Sequence, residues 1–305
     1  MPLTNTRPRL GFLGLGWIGR SRLDAIVASG VAEIGAVADP ARPEALDTFD
    51  DLLESELDGV VIATPSALHA EQAIAALERG LAVFCQKPLG RTAAEARAVV
   101  EAARAADRLL GVDLSYRFVR AFQVAREIVR SGELGEILIA DLAFHNAYGP
   151  DKAWFYDANL AGGGCVIDLG THLVDLAVWT LDLEPVEVRA CLQGEPVEQL
   201  ATADLDHVRL TCSWNLHVGR DAVIEASFYG TDGGVSVRNV EGSFYDFRCH
   251  RLHGTSGVLV AGPPDEWPGR AAVDWARRLG AGERFDPAAE AFVRVAAIVD
   301  RIYGR

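Results

Sequence analysis

A short apolar run, Leu10 to Leu15, ends in Gly14-Leu15-Gly16-Trp17-Ile18-Gly19, and a helical pattern from Trp17 to Ser29 begins inside that motif. A strand that turns straight into a helix around an anion needs glycine at defined points. Gly14 permits the tight turn, Gly16 leaves the backbone open to a phosphate, and Gly19 lets the helix pack close to the sheet. The helix start then offers unsatisfied N–H groups and a partial positive charge. The motif predicts a βαβ unit that holds a dinucleotide, with Gly14, Gly16, Trp17, Ile18 and Gly19 as contact residues. A glycine-rich turn kept for packing alone is the alternative.

A second apolar run, Glu33 to Ala38, ends at Asp39. An acidic residue at this distance from the glycines takes the adenosine ribose hydroxyls. A carboxylate repels a 2′-phosphate, so NAD is favoured, with NADP possible because Arg42 lies close behind. Asp39 could instead only cap a turn.

The first third continues as strands alternating with helices. Gly59–Ala63, Leu81–Cys85 and Leu109–Leu114 read as apolar strands, and Ser66–Arg79 and Thr92–Ala106 as helices. Such alternation means a parallel sheet, its strands buried on both faces. Pro40 and Pro43 leave room for only a helical turn or two, Asp50 to Glu54, before the third strand. After Tyr116 the texture changes. Phe118–Ser131 reads as a helix, Ile137–His145 as a strand, and Gly162-Gly163-Gly164 precede a helix to Leu181. Val186–Leu192, His207–Asn215, Ala222–Tyr229, Val235–Asn239 and Phe244–Arg251 follow as strands with turn signals between them, and Pro287–Tyr303 reads as a closing helix. The expected architecture is an α/β Rossmann domain over residues 1–116. An α+β domain over 117–305 carries a large, open, mostly antiparallel sheet.

The formal net charge of −14 argues against nucleic acid or an anionic membrane surface as partner, since both need clustered Lys and Arg. Five cysteines, an odd number with no CxxC pair, argue against a disulfide framework or a structural zinc site and for a reducing, cytoplasmic setting. The first residues do not form a signal peptide, and no apolar stretch reaches membrane length without a charge or turn signal.

The pieces Gly14–Gly19, Ala63-Thr64-Pro65, Gln86-Lys87-Pro88, and Gly162-Gly163-Gly164 followed by Asp168, Gly170, His172 and Asp175 resemble the glucose–fructose oxidoreductase/inositol dehydrogenase/MocA (Gfo/Idh/MocA) family over nearly the whole chain. The resemblance implies a Rossmann domain, a second domain whose open sheet forms a homodimer or homotetramer interface, and pyranose, inositol or related polyol substrates. It places Thr64, Pro65, Gln86 and Lys87 with the cofactor, and His69, at the mouth of the third strand, is a further candidate for the nicotinamide half. The family's usual Glu-Lys-Pro has Gln86 at its first position here, which keeps the hydrogen-bonding shape and loses the charge. Ser115 stands where many relatives have Asn.

Lys87 falls at the carboxyl end of a parallel strand, where open α/β sheets bind ligands. Its ammonium could stabilise negative charge developing on a substrate oxygen. Asp168 and His172 are spaced i, i+4, on one helix face. An imidazole with an ordinary pKa near 6.5 suits removal of a hydroxyl proton, with Asp168 orienting substrate and Asp175 holding the ring from behind. Lys87, Asp168 and His172 are the candidate catalytic residues. Tyr116, Arg117, Asn146 and Trp154 join Asp168 and His172 as candidate substrate contacts, with His145, Tyr148 and Tyr156 in the same loop region. An ordinary solvated Asp/His face and plain aromatic loop anchors are the alternatives. A metal site is not expected, because no third ligand has useful spacing.

The expected activity is NAD(P)-dependent hydride transfer to or from a carbinol or carbonyl carbon of a sugar-like substrate. Two other functions fit the same residues: a non-catalytic NAD(P)-binding regulator, and an NAD-dependent glycoside hydrolase.

Overall fold

The runs Gly59–Ile62 and Ala82–Cys85 are buried at every position. Strands without a polar face belong inside a sheet covered on both sides. They lie within the five-stranded parallel sheet of a computed structural model that describes residues 7–42, 45–46 and 48–305. Pro43, used above to argue for a short connection, lies outside the described residues. The elements are β1 (Arg9–Leu13), α1 (Trp17–Ser29), β2 (Glu33–Ala38), α2 (Phe49–Leu53), β3 (Gly59–Ile62), α3 (Ser66–Glu78), β4 (Ala82–Cys85), α4 (Ala93–Ala106) and β5 (Leu110–Val112). The strand order is β2-β1-β3-β4-β5. The winding direction changes between β1 and β3, and such a switch point opens a ligand crevice at the carboxyl ends of the strands. Thr48 and Thr92 cap α2 and α4 by accepting the backbone N–H of Asp51 and Glu95.

The second sheet has eight strands. Its unit comprises α5 (Arg120–Arg130), β6 (Ile137–Asn146), α6 (Ala158–Ala161), a π-helical turn (Val166–Gly170), α7 (Thr171–Leu181), β7 (Val188–Gln193), β8 (Leu200–Leu205), β9 (Val208–Ser213), β10 (Ala222–Gly230), β11 (Gly234–Asn239), β12 (Phe247–His253) and β13 (Ser256–Ala261). The order is β13-β12-β11-β10-β6-β9-β8-β7, antiparallel except between β6 and β9. Along β6, Ala140, Leu142 and Phe144 are buried in the core with Phe122, Leu173 and Val174 of α5 and α7. The opposite face bears charged pairs, Arg209–Asp141 and Arg238–Glu225.

Two further helices follow, α8 (Arg270–Gly280) and α9 (Glu290–Ile302). The chain divides into two compact units. One contains the described residues up to Ser115 together with Pro268–Val293, and the other contains Tyr116–Trp267 with Arg294–Arg305. A single boundary at 116/117 is therefore incomplete. Helix α8 returns to the first sheet, where the Trp275 indole packs on Phe84 with ring centroids 5.7 Å apart and is buried.

Elements absent from the sequence reading share a cause. Strand β8 buries only Ala201, Ala203 and Leu205 on its inner face, so its alternation rests largely on methyl groups. Helix α8 buries Ala271, Ala272 and Ala276 beside Trp275. Strand β13 is an edge strand exposed along nearly all its length, and its apolar side chains fall on both faces, so it shows no apolar/polar alternation. The expected helix from the triple glycine to Leu181 is present, but it opens with the π turn before α7, and a short α6 ends in the left-handed conformation at Gly162 ahead of it. The helical run Ala158–Leu181 is long and apolar enough to cross a membrane by length and composition, yet its most apolar 18-residue window is 78% buried inside the protein, as befits a core helix.

Candidate active site

The glycine-rich turn has the shape the motif requires. Gly14 has φ +85°, and a Cβ there would lie 2.8 Å from the Ala63 carbonyl oxygen. A Cβ on Gly19 would lie 2.0 Å from the Gly14 oxygen. Exposed Gly16 caps α1 with no side-chain hydrogen bond, and the first turn carries no acidic residue. The N–H groups of that turn thus make a cradle for a pyrophosphate. Trp17 is 68% exposed at the same turn, followed by partly buried Ile18.

Asp39 caps the turn, one of the two roles held open above. Its Oδ2 accepts the Leu15 N–H at 2.6 Å and its Oδ1 the Ala41 N–H at 2.9 Å, so the carboxylate fixes the glycine-rich turn. Each carboxylate oxygen has a further lone pair for a hydroxyl. The Arg42 guanidinium donates to the Leu15 carbonyl oxygen at 3.1 Å.

Thr64 and Pro65 follow β3, and Gln86, Lys87 and Pro88 follow β4, with a cis peptide between Lys87 and Pro88. The Thr64 hydroxyl donates to Gln72 Oε1 at 2.6 Å. His69 does not offer its ring to a ligand, contrary to the expectation above. It is 1% exposed, and its Nδ1 and Nε2 each lie 2.7 Å from a backbone carbonyl oxygen, of Pro88 and Thr64 respectively. It ties the two ligand-facing loops together. Burial lowers its pKa below 6.5, against the pull of the two carbonyls. Gln86 donates its side-chain amide to the Asp113 carboxylate, which also accepts the Arg22 Nε–H at 2.6 Å.

In the second unit the π turn carries Asp168, and α7 carries His172 two residues after the turn's last residue, Gly170. Such turns recur at functional sites. The Trp214 indole N–H donates to Asp168 Oδ2 at 3.1 Å. Tyr116 packs edge-on to His172 with centroids 4.9 Å apart. Burial, reinforced by the Asp168 charge, pushes the Tyr116 phenol well above its ordinary pKa. Tyr116, Asp168 and His172 are thus brought together. Trp154 stacks on Phe155 at 3.9 Å, and Phe155 and Tyr156 both meet the Trp214 ring edge-on. Asn146 alternates with His145 at the end of β6, and its Oδ1 is buried with no protein partner among the described residues.

Three expectations change here. Arg117 is not a free lining residue, because its guanidinium grips Asp175 at 2.5 to 3.1 Å. Asp175 is spent on that grip and does not hold His172. Its carboxyl pKa is raised by burial, with Arg117 opposing. His145 falls on the opposite sheet face from Phe144, where its ring meets Ser213 Oγ at 2.8 Å and Thr211 Oγ1 at 3.1 Å.

The sequence reading overlooked Trp214, Asp113 and Glu198. Glu198 is buried and accepts the backbone N–H of Gly164 and Val166 and the hydroxyl of Tyr303 at 2.6 Å. It anchors the triple-glycine segment at the start of the π turn. None of the three stands in a motif. Only their partners, distant in sequence, give them a role. Among the described residues no group of three or more His, Cys, Asp or Glu side chains could hold a metal ion.

The fold and these two sets of residues define a dinucleotide-binding oxidoreductase with a separate α+β unit. Residues 8–114 match the oxidoreductase family with an NAD-binding Rossmann fold, and residues 122–236 match the GFO/IDH/MocA C-terminal domain. The chain belongs to the Gfo/Idh/MocA family. It is 33% identical to the rhizopine catabolism protein MocA of Rhizobium meliloti over 68% of each chain. It is 32% identical to an inositol 2-dehydrogenase of Acidothermus cellulolyticus over 94% of this chain and 89% of the relative. The fold is shared with a levoglucosan dehydrogenase solved with NADH and levoglucosan, at TM-score 0.84 and 22% identity over 98% of this chain and 97% of that one.

Proposed function

We propose that the protein transfers a hydride between a nicotinamide dinucleotide and a carbinol or carbonyl carbon of a sugar, inositol or related polyol. When bound, the cofactor takes or gives the hydride at nicotinamide C4. The first unit holds it through the N–H groups at Gly14–Gly19 and the Asp39 carboxylate, which favours NAD. Lys87 stabilises negative charge on the reacting oxygen. In the second unit His172 takes the hydroxyl proton as the C–H bond breaks, and returns it in the reverse direction. Asp168 accepts hydrogen bonds from neighbouring substrate hydroxyls, and Asn146 and Trp154 complete the substrate contacts. Names of relatives such as inositol 2-dehydrogenase support the substrate class.

The grouping of Asp168 and His172 around Tyr116 carries this reading, since a protein that only senses NAD needs no proton acceptor beside a carboxylate. The test is a panel of sugars, inositols and sugar acids incubated with NAD and NADP in parallel. Stoichiometric NADH supports the reading, hydrolysis without net NADH would indicate a glycosidase, and binding without turnover a regulator.

We further propose a cytoplasmic homo-oligomer. The support is the cysteine pattern and the exposed apolar side chains Val258, Leu259 and Val260 on edge strand β13. Sedimentation equilibrium checks the subunit count.

A further inference from the structure

Asp113 is 2% exposed at the end of β5, and Arg22, from α1, is 5% exposed. Their side chains form an ion pair at 2.6 Å. A carboxylate paired to a guanidinium can only accept hydrogen bonds. The amide of Gln86 must therefore turn its NH2 group towards Asp113, as the structure has it. The Gln86 carbonyl oxygen, in the same amide plane, is then turned away from Asp113. Gln86 stands at the carboxyl end of β4, beside Lys87, where a parallel sheet meets its ligand. A Glu at this position would set a second carboxylate against buried Asp113, and the two would repel.

We propose that Asp113, neutralised by Arg22, is a positioning residue for the cofactor. It orients Gln86 so that a neutral carbonyl oxygen is offered to a hydrogen-bond donor of the bound dinucleotide. The charge that the family's usual Glu carries at this position resides one strand away, on Asp113. This rests on the NAD(P) reading above.

A charge exchange tests it. Gln86→Glu, Asp113→Asn and the double variant are compared with the parent by NADH titration and by thermal unfolding without cofactor. Gln86→Glu is expected to weaken NADH binding about tenfold or more, on the scale of a hydrogen bond to a charged group, and to lower the unfolding midpoint. The double variant, in which amide and carboxylate trade places, recovers both, to within about threefold in Kd on the same scale. The proposal is overturned if Gln86→Glu binds NADH as the parent does. It is also overturned if the double variant is no better than Gln86→Glu. Recovery of the midpoint without recovery of binding would leave Asp113 a purely structural part, and would overturn it as well. A parent that binds no NADH would sink the cofactor reading itself, an outcome distinct from the others.

Discussion

The indole N–H of Trp214 points at Asp168, 3.1 Å from its Oδ2. The ring lies just past β9, 46 residues from its partner, and is nearly fully buried. It fixes which way the carboxylate faces. Trp214→Phe keeps most of the packing and removes the donor. Since a hydrogen bond to a charged group contributes about 1.5–3 kcal/mol, kcat/KM for the sugar substrate is expected to fall about tenfold or more. NADH affinity, measured by titration, should stay unchanged. Loss of NADH binding instead would point to general damage.

Removing the proton acceptor is expected to act on turnover. His172→Ala should lower kcat by about a hundredfold or more, the range for lost acid–base catalysis. Steady-state rates on a substrate found in the panel check this, and undiminished turnover would remove His172 from the mechanism.

Asp39 has two jobs that substitutions can separate. Asp39→Asn keeps an acceptor for the Leu15 N–H and loses the charge, so the ratio of NADP to NAD efficiency should rise, by about tenfold if one charged hydrogen bond is at stake. Asp39→Ala also frees the turn, so affinity for both cofactors should fall. Equal affinities in parent and Asp39→Ala would contradict this account of the turn.

The pH dependence of stability has a sign set by His69. Its folded-state pKa is lowered from 6.5 by burial, so below about pH 6.5 the unfolded chain binds more protons than the folded one. Stability is full above that pH and declines as pH falls through it. Denaturant melts from pH 7 to pH 5 should show a shallower decline in His69→Gln than in the parent. An equal slope in both proteins would mean that His69 does not carry the effect.

Trp275 should matter to folding. Truncating a buried Trp in a core costs about 3–5 kcal/mol. Trp275→Ala is expected to lose that much in urea unfolding.

How legible all this was in the chain depends on what kind of signal each part leaves. The first sheet announces itself, because Gly14–Gly19 is local and its strands are continuous apolar runs. Asp168 and His172 were legible because a helix brings near neighbours together. What failed to show was long-range or made of small residues. Nothing near Trp214 reveals that its indole meets Asp168, and nothing near Arg117 reveals that Asp175 claims it. The alternation of His145 and Asn146 on opposite faces of β6 fixes that one faces the polar side of the sheet, and a loop reading could not tell them apart. Helix α8 was invisible because alanines carry most of its buried side.

The return of Pro268–Val293 to the first unit bears on how this gene could be recombined. Residues 7–115 alone would display Phe84 without the indole that packs on it, so they are not a self-sufficient module. A chimera that grafts another protein's substrate unit onto this dinucleotide unit would have to insert the foreign piece after Ser115, resume the native chain for Pro268–Val293, and return to the foreign sequence at Arg294. Joining two halves end to end would leave α8 matched to the wrong parent.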